Sequence, residues 1–174
     1  MQIELVTGPT NTLIARVHRF EVEAALVPEP FHKAELEMQE AFVEELVLIA
    51  PKDAAPAKCV QELSLRTVIA FATGCSYRRI LEDWLAVSEV VPERVLELAS
   101  YHAIVACVAA GSGFAIMPRS VLEEVHTGSQ VHVMPLPPGG RDGSDFSDLA
   151  WRLPFDRTGC AARGVGLKYF CTTQ

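Results

Sequence analysis

Hydrophobic and polar positions along the chain change period repeatedly. "QIELVT" alternates with period two, as a half-buried strand does, and stops at Gly8-Pro9. "TNTLIARVHRF" switches to helical spacing, with Leu13, Ile14 and Val17 on one face. "VEAALV" reads as a short buried strand ended by Pro28 and Pro30. "ELVLIAP" is a continuous apolar run of the kind a parallel sheet buries on both faces, and "KDAAPAK" reads as a linker. A second block opens with the strand "TVIAFA", halts at Gly74 and passes through Cys75 into a helix predicted from Ser76 to Val87. Ile80, Leu81, Trp84 and Leu85 form the inner stripe of that helix. The strand "RVLELA", then Ser100, then the helix "YHAIVACVAAG" follow. "FAIMP" is a strand ended by Pro118, and "RSVLEEV" is a short helix. After the turn "HTGSQ" come the strand "VHVMPLP", a polar Gly-rich loop from Pro137 to Asp148, and a last strand, "LAWRL". No element is assigned beyond Pro154.

Strands alternating with helices imply an α/β fold with largely parallel sheets. Two blocks separated by "KDAAPAK", with the chain returning after "HTGSQ", predict two lobes joined by two crossing segments. In open α/β sheets ligands sit beyond the carboxyl ends of the strands. Three strand-to-helix junctions share one chemistry: Thr7-Gly8-Pro9-Thr10, Thr73-Gly74-Cys75-Ser76 and Ser100-Tyr101-His102. Each offers hydroxyls and the free N–H groups of a helix start, which favour a carboxylate or similar anion. The same hydroxyls also suit simple N-capping, with Thr10, Ser76 and Ser100 satisfying their own helices. Convergence in space decides between the two.

Composition narrows the classes. The chain has 174 residues, 49% hydrophobic and 21% charged, enough for one domain or two small lobes with a real core. A net charge of −7 and the lack of any basic run argue against this chain gripping a phosphate backbone by itself. No apolar segment approaches the ~18 residues of a membrane helix. The N-terminus, "MQIELVTGPT", carries no export signal, and a cytoplasmic location is expected. The cysteines, Cys59, Cys75, Cys107, Cys160 and Cys171, are odd in number and form no Cys-x-x-Cys pair. Reduced thiols are expected, with no disulfide framework, metal site or cofactor. A cysteine enzyme is the competing class: Cys75 at a helix start with a lowered pKa, and His102 as its base. No third orienting group and no nucleotide fingerprint accompany them. Arg78 and Arg79 lie past the first helical turn, where pairing with Glu82 and Asp83 or solvation is expected rather than anion binding.

"ELVLIAPKDAA", "GCSYRRILEDWL", "SYHAIVACVAAGSGFAIMPRSVLEE" and "VHVMPLP", in this order, resemble the effector-binding domain of LysR-type transcriptional regulators over roughly residues 2 to 136. The resemblance implies a periplasmic-binding-protein type II-like fold of two Rossmann-like lobes, a cleft and two crossover segments. Lobe I would hold residues 1–52 and 128–174, and lobe II residues 53–127. The strand and helix that open lobe I in the family, and the winged helix-turn-helix with its linker helix, have no counterpart in this sequence. The resemblance implies a small-molecule effector, typically a carboxylate. It also implies homodimers, with tetramers in a full-length parent, and DNA contact only through the missing winged helix-turn-helix. No enzymatic activity and no membrane association are expected. Carried over position by position, the ligand-binding residues would be Thr10, Val27 and Pro28 in lobe I. Those of lobe II would be Gly74, Cys75, Ser76, Ser100, Tyr101, His102, Met117 and Pro118. A cytoplasmic solute-binding protein is the remaining alternative.

Overall fold

The computed structural model describes residues 4–28, 36–55, 57, 60–63, 66–124, 130–137, 146 and 148–155. The turn at 126–129, most of the loop after Pro137 and the tail after Phe155 lie outside these residues. The elements in chain order are α1 (Thr10–His18), β1 (Val27–Pro28), β2 (Glu37–Pro51), β3 (Thr67–Ala70), α2 (Ser76–Val87), β4 (Arg94–Glu97), α3 (Tyr101–Ala109), β5 (Ala115–Pro118), α4 (Arg119–Glu124), β6 (Val131–Pro135) and β7 (Asp148–Phe155). The chain divides into two compact units. One comprises Met1–Phe42 and Ala150–Gln174, the other Val43–Leu149.

In the first unit, α1 buries Ile14 and Val17 against Ala25 and Val27, with Leu13, Val22 and Leu36 packed around them. The helical spacing of "TNTLIARVHRF" is therefore realised. β1 pairs antiparallel with β7, Val27 opposite Arg152. Arg152 reaches the Glu40 carboxylate on β2 at 2.8 Å. Of the strand expected from "QIELVT", Gln2 and Ile3 lie outside the described residues, and Glu4–Thr7 is irregular, with Leu5 73% exposed. Alternation marks a surface able to pair, but a strand exists only through its ladder, and Glu4–Thr7 pair with no strand among the described residues. Of "VEAALV", only Val27 falls in the strand Val27–Pro28, with Ala24 in an isolated bridge before it.

In the second unit, β3 and β4 are parallel neighbours, Thr67 opposite Arg94 through Ala70 opposite Glu97. On the other side of β3, Phe114 bridges Val68 in parallel, with Phe114 N–H donating to Thr67 O at 3.1 Å and Phe114 O accepting from Ile69 N–H at 2.8 Å. The β1–β7, β2–β5 and β2–β6 ladders are antiparallel, which corrects the expectation of largely parallel sheets. β2 is fifteen residues long. Its buried half, Leu46–Ala50, lies between β5, with Val47 opposite Met117, and β6, with Val47 opposite Pro135. A run buried on both faces reads as apolar whichever way its neighbours run. The hydrophobic pattern thus reports burial, not strand direction.

α2 spans the predicted residues. It buries Tyr77, Ile80, Leu81, Trp84 and Leu85, an i, i+3, i+4, i+7, i+8 stripe. Trp84 is fully buried. Its indole N–H donates to Pro137 O at 2.8 Å, and its ring meets Phe114 edge-on at 6.4 Å. Burying so large a side chain with its polar atom satisfied pins α2 against the sheet. β4, by contrast, is exposed along most of its length.

Candidate functional site

The order β3–α2–β4–α3–β5 places β4 on one side of β3 and the start of β5 on the other. The chain therefore reverses its direction of travel across the sheet beside β3, and helix starts gather at the carboxyl edge. Between β3 and α2 the chain turns tightly, with Cys75 N–H donating to Ala72 O at 3.1 Å. Gly74 takes φ +96°, a conformation that side-chain-bearing residues rarely adopt. Leu98 N–H donates to Ala70 O at 2.9 Å, carrying the β3–β4 register up to the two junctions.

The N-cap positions differ from those expected. Cys75 caps α2 and Pro9 caps α1, so Ser76 and Thr10 are the first helical residues. Ser100 does occupy the cap position of α3. In none of the three helices does the side chain at the N-cap form a capping hydrogen bond. Of the three hydroxyls only Ser100 stands at an N-cap, and it forms no capping hydrogen bond there.

The structure brings the two helix starts of the second unit together. Phe71 at the end of β3 meets Tyr101, the first residue of α3, edge-on at 4.9 Å. It meets Tyr77, in the first turn of α2, at 6.0 Å, and the two tyrosine rings lie 6.3 Å apart. Gly74, Cys75, Ser76, Ser100, Tyr101 and His102 thus share one sheet edge, with His102 exposed and Tyr101 partly so. Met117 and Pro118 close β5 and are buried, so they are packing groups on the described surface. Thr10, partly exposed at the start of α1, and the buried Val27 and Pro28 of β1 belong to the first unit.

Electrostatics separates the roles. Burial pushes the Cys75 thiol pKa up; the backbone N–H groups of Arg78 and Tyr77, too poorly placed for a capping bond, only partly offset this. The lowered pKa required of a cysteine nucleophile is therefore absent, because desolvation outweighs the helix start. Burial also raises the Tyr77 hydroxyl pKa, helped by Tyr101 and Glu44, so Tyr77 remains a donor. Arg78 pairs with Glu82 and donates to Phe71 O at 3.3 Å, as its helical spacing predicts. Among the described residues no cluster of His, Cys, Asp or Glu is arranged to hold a metal, and no helix is long and apolar enough to cross a membrane.

Sequence reasoning missed Tyr77 and Glu44, whose hydroxyl and carboxylate lie 2.8 Å apart. A signal existed: a tyrosine on the inner stripe of a helix needs a buried partner for its hydroxyl. The partner stands 33 residues away, beyond the reach of local pattern.

The family model described as "LysR substrate binding domain" matches residues 1–147. The chain belongs to the LysR substrate-binding domain family. A relative from Bacillus subtilis (strain 168), the uncharacterized HTH-type transcriptional regulator YusT, is 34% identical over 137 residues. That match covers 79% of this chain and 45% of the relative, so this LysR domain spans less than half of the relative's length. The regulatory domain of Synechocystis PCC6803 CcmR, solved in complex with 2-PG, superposes with a TM-score of 0.69 at 19% identity, covering 87% of this chain and 72% of that one. The effector-binding domain of QuiR, solved with shikimate, gives 0.68 at 17% identity, covering 90% and 72%. At these identities the likeness establishes the fold alone: this LysR domain has a periplasmic-binding-protein type II-like architecture.

Proposed function

We propose that this LysR domain is the effector-sensing part of a cytoplasmic transcriptional regulator and that it binds a small anion, best a carboxylate. One observation carries the reading. The starts of α2 and α3 lie at one sheet edge, neither closed by a capping hydrogen bond from its N-cap side chain, and are tied by the Phe71–Tyr77–Tyr101 cluster. Such helix starts carry partial positive charge and favour anions. Gly74 lets a ligand approach the backbone, and Ser76 and Ser100 supply hydroxyls. Thr10, Val27 and Pro28 are proposed as the contribution of lobe I, residues 1–52 and 128–174, and the other residues as that of lobe II, residues 53–127. That CcmR and QuiR were solved with small ligands supports a ligand-binding role on this fold.

The experiment is ligand-induced thermal stabilisation with a panel of small carboxylates, 2-PG and shikimate. A charge-assisted hydrogen bond is worth ~1.5–3 kcal/mol, so Ser76→Ala or Ser100→Ala should weaken binding about ten- to a hundredfold. If a serine serves only its helix, its loss costs ~1 kcal/mol of stability and leaves affinity alone. That result in both variants would sink the site.

The domain is proposed to act as a homodimer, and as a tetramer in a full-length parent whose winged helix-turn-helix contacts DNA. With its net charge of −7, the 174-residue chain alone should give no sequence-selective shift on DNA. The raised pKa of Cys75 disfavours the enzyme alternative.

A further inference from the structure

We infer that Tyr77 and Glu44 are a positioning pair that links the proposed anion site to strand β2 where the chain passes from one compact unit into the other. The inference rests on the effector site proposed above, which it extends by naming how occupancy is passed on. β2 runs from Glu37 to Pro51, and the boundary between the units falls between Phe42 and Val43. Glu44 is the second residue beyond that boundary. Its carboxylate accepts the Tyr77 hydroxyl at 2.8 Å, and Tyr77 is the second residue of α2, adjacent to Ser76.

Tyr77 has little freedom to absorb a change at the helix start. It is 4% exposed and its ring rests against Phe71 and Tyr101. Tyr101 opens α3, so both helix starts bear on the same hydroxyl. A rigid ring whose hydroxyl is held by a carboxylate transmits displacement, because such a hydrogen bond is stronger than one to a neutral acceptor. Burial keeps the tyrosine protonated and therefore donating.

The next residue completes the grip. Successive side chains of a strand point to opposite faces. Glu45 accepts two hydrogen bonds from Arg119, the first residue of α4, at 2.6 and 2.8 Å. Consecutive carboxylates of β2 are therefore held by two helices. Of the two contacts, the Glu45 pair is exposed, whereas the Glu44 contact leads to the proposed ligand turn. Glu44 does not touch the anion; it acts through Tyr77.

The test is amide hydrogen exchange on the full 174-residue chain, with Tyr77→Phe, which keeps the ring, Glu44→Ala, which removes the acceptor, and the double variant. Without ligand, each single variant should speed exchange about tenfold both in the first turn of α2 and at Val43–Leu46, as loss of one such hydrogen bond implies. The double variant should add nothing further. Unchanged exchange at Val43–Leu46 in both single variants overturns the link. The second arm uses inorganic sulfate as the probe, against chloride at equal ionic strength. In the wild type, sulfate should slow exchange at the starts of α2 and α3 and at Val43–Leu46. In Tyr77→Phe the slowing should persist at the helix starts and vanish at Val43–Leu46. Persistence at both places overturns the link. If sulfate slows nothing in the wild type, the anion site fails, and the ligand-free arm alone decides the link.

Discussion

Gly113 stands so close to Thr67 that a β-carbon on it would lie 2.3 Å from the Thr67 carbonyl oxygen. This is where β5 approaches β3 and where Phe114 and Thr67 exchange backbone contacts. The atom it would meet is backbone and cannot rotate away. Gly113→Ala should therefore cost about 3 kcal/mol, the upper part of the overpacking range. At Gly74 nothing lies within 4 Å of the added carbon, so Gly74→Ala should cost only the ~1–2 kcal/mol of its positive φ. Thermal melts of the two variants check this; a Gly113→Ala protein as stable as wild type contradicts the close approach.

Cys75 should behave as a half-buried thiol of low reactivity. Its folded pKa lies above the ordinary value of 9.0. The stability it contributes is therefore fully present below about pH 9 and is lost as pH rises through the folded value, where the unfolded chain has already released its proton. Cys75→Ala should flatten the decline of stability above pH 9 relative to wild type. Alkylation at pH 7 should be slower than for a free thiol, and fast modification there would reopen a catalytic role.

The Arg119 guanidinium beside Glu45 holds the Glu45 carboxyl below its ordinary value of 4.5, chiefly through the side-chain hydrogen bond. Its contribution is present above that ordinary value and lost as pH falls through the lowered one. In Arg119→Gln the Glu45 carbon resonance should titrate back near the ordinary value. Since both groups face solvent, salt should erase part of the difference. A titration identical in the two proteins means the pair does not persist in solution.

Self-association should occur through the outer side of α2 and β4. Val87, Val91 and Val95 are 39%, 84% and 43% exposed, and a groove of about 300 Å³ beside them is lined by Leu81, Leu85 and Val90. Apolar surface of this kind is rarely left bare. Sedimentation should show dimers at about tens of micromolar, as for interfaces of ordinary size. Val91→Lys with Val95→Lys should shift them to monomer, and a wild type that is monomeric throughout that range removes this surface from consideration.

What the sequence by itself determined was local. α2 from Ser76 to Val87, its stripe from Ile80 to Leu85 and the Arg78–Glu82 pair all follow from helical spacing, which holds wherever the helix sits. The succession of strands and helices from Thr67 to Glu124 followed from changes of period and from Gly and Pro punctuation. What only the tertiary structure decided depends on partners distant in the chain. Glu4–Thr7 belong to an alternating run yet form no strand, and Leu46–Ala50 is apolar but antiparallel to both β5 and β6, because pattern records burial and not pairing. Cys75 sits at a helix start, yet its pKa rises, because desolvation is set by what packs over the sulfur rather than by its neighbours in sequence. Glu44 finds Tyr77 across 33 residues only once folding brings β2 and the start of α2 within hydrogen-bond reach.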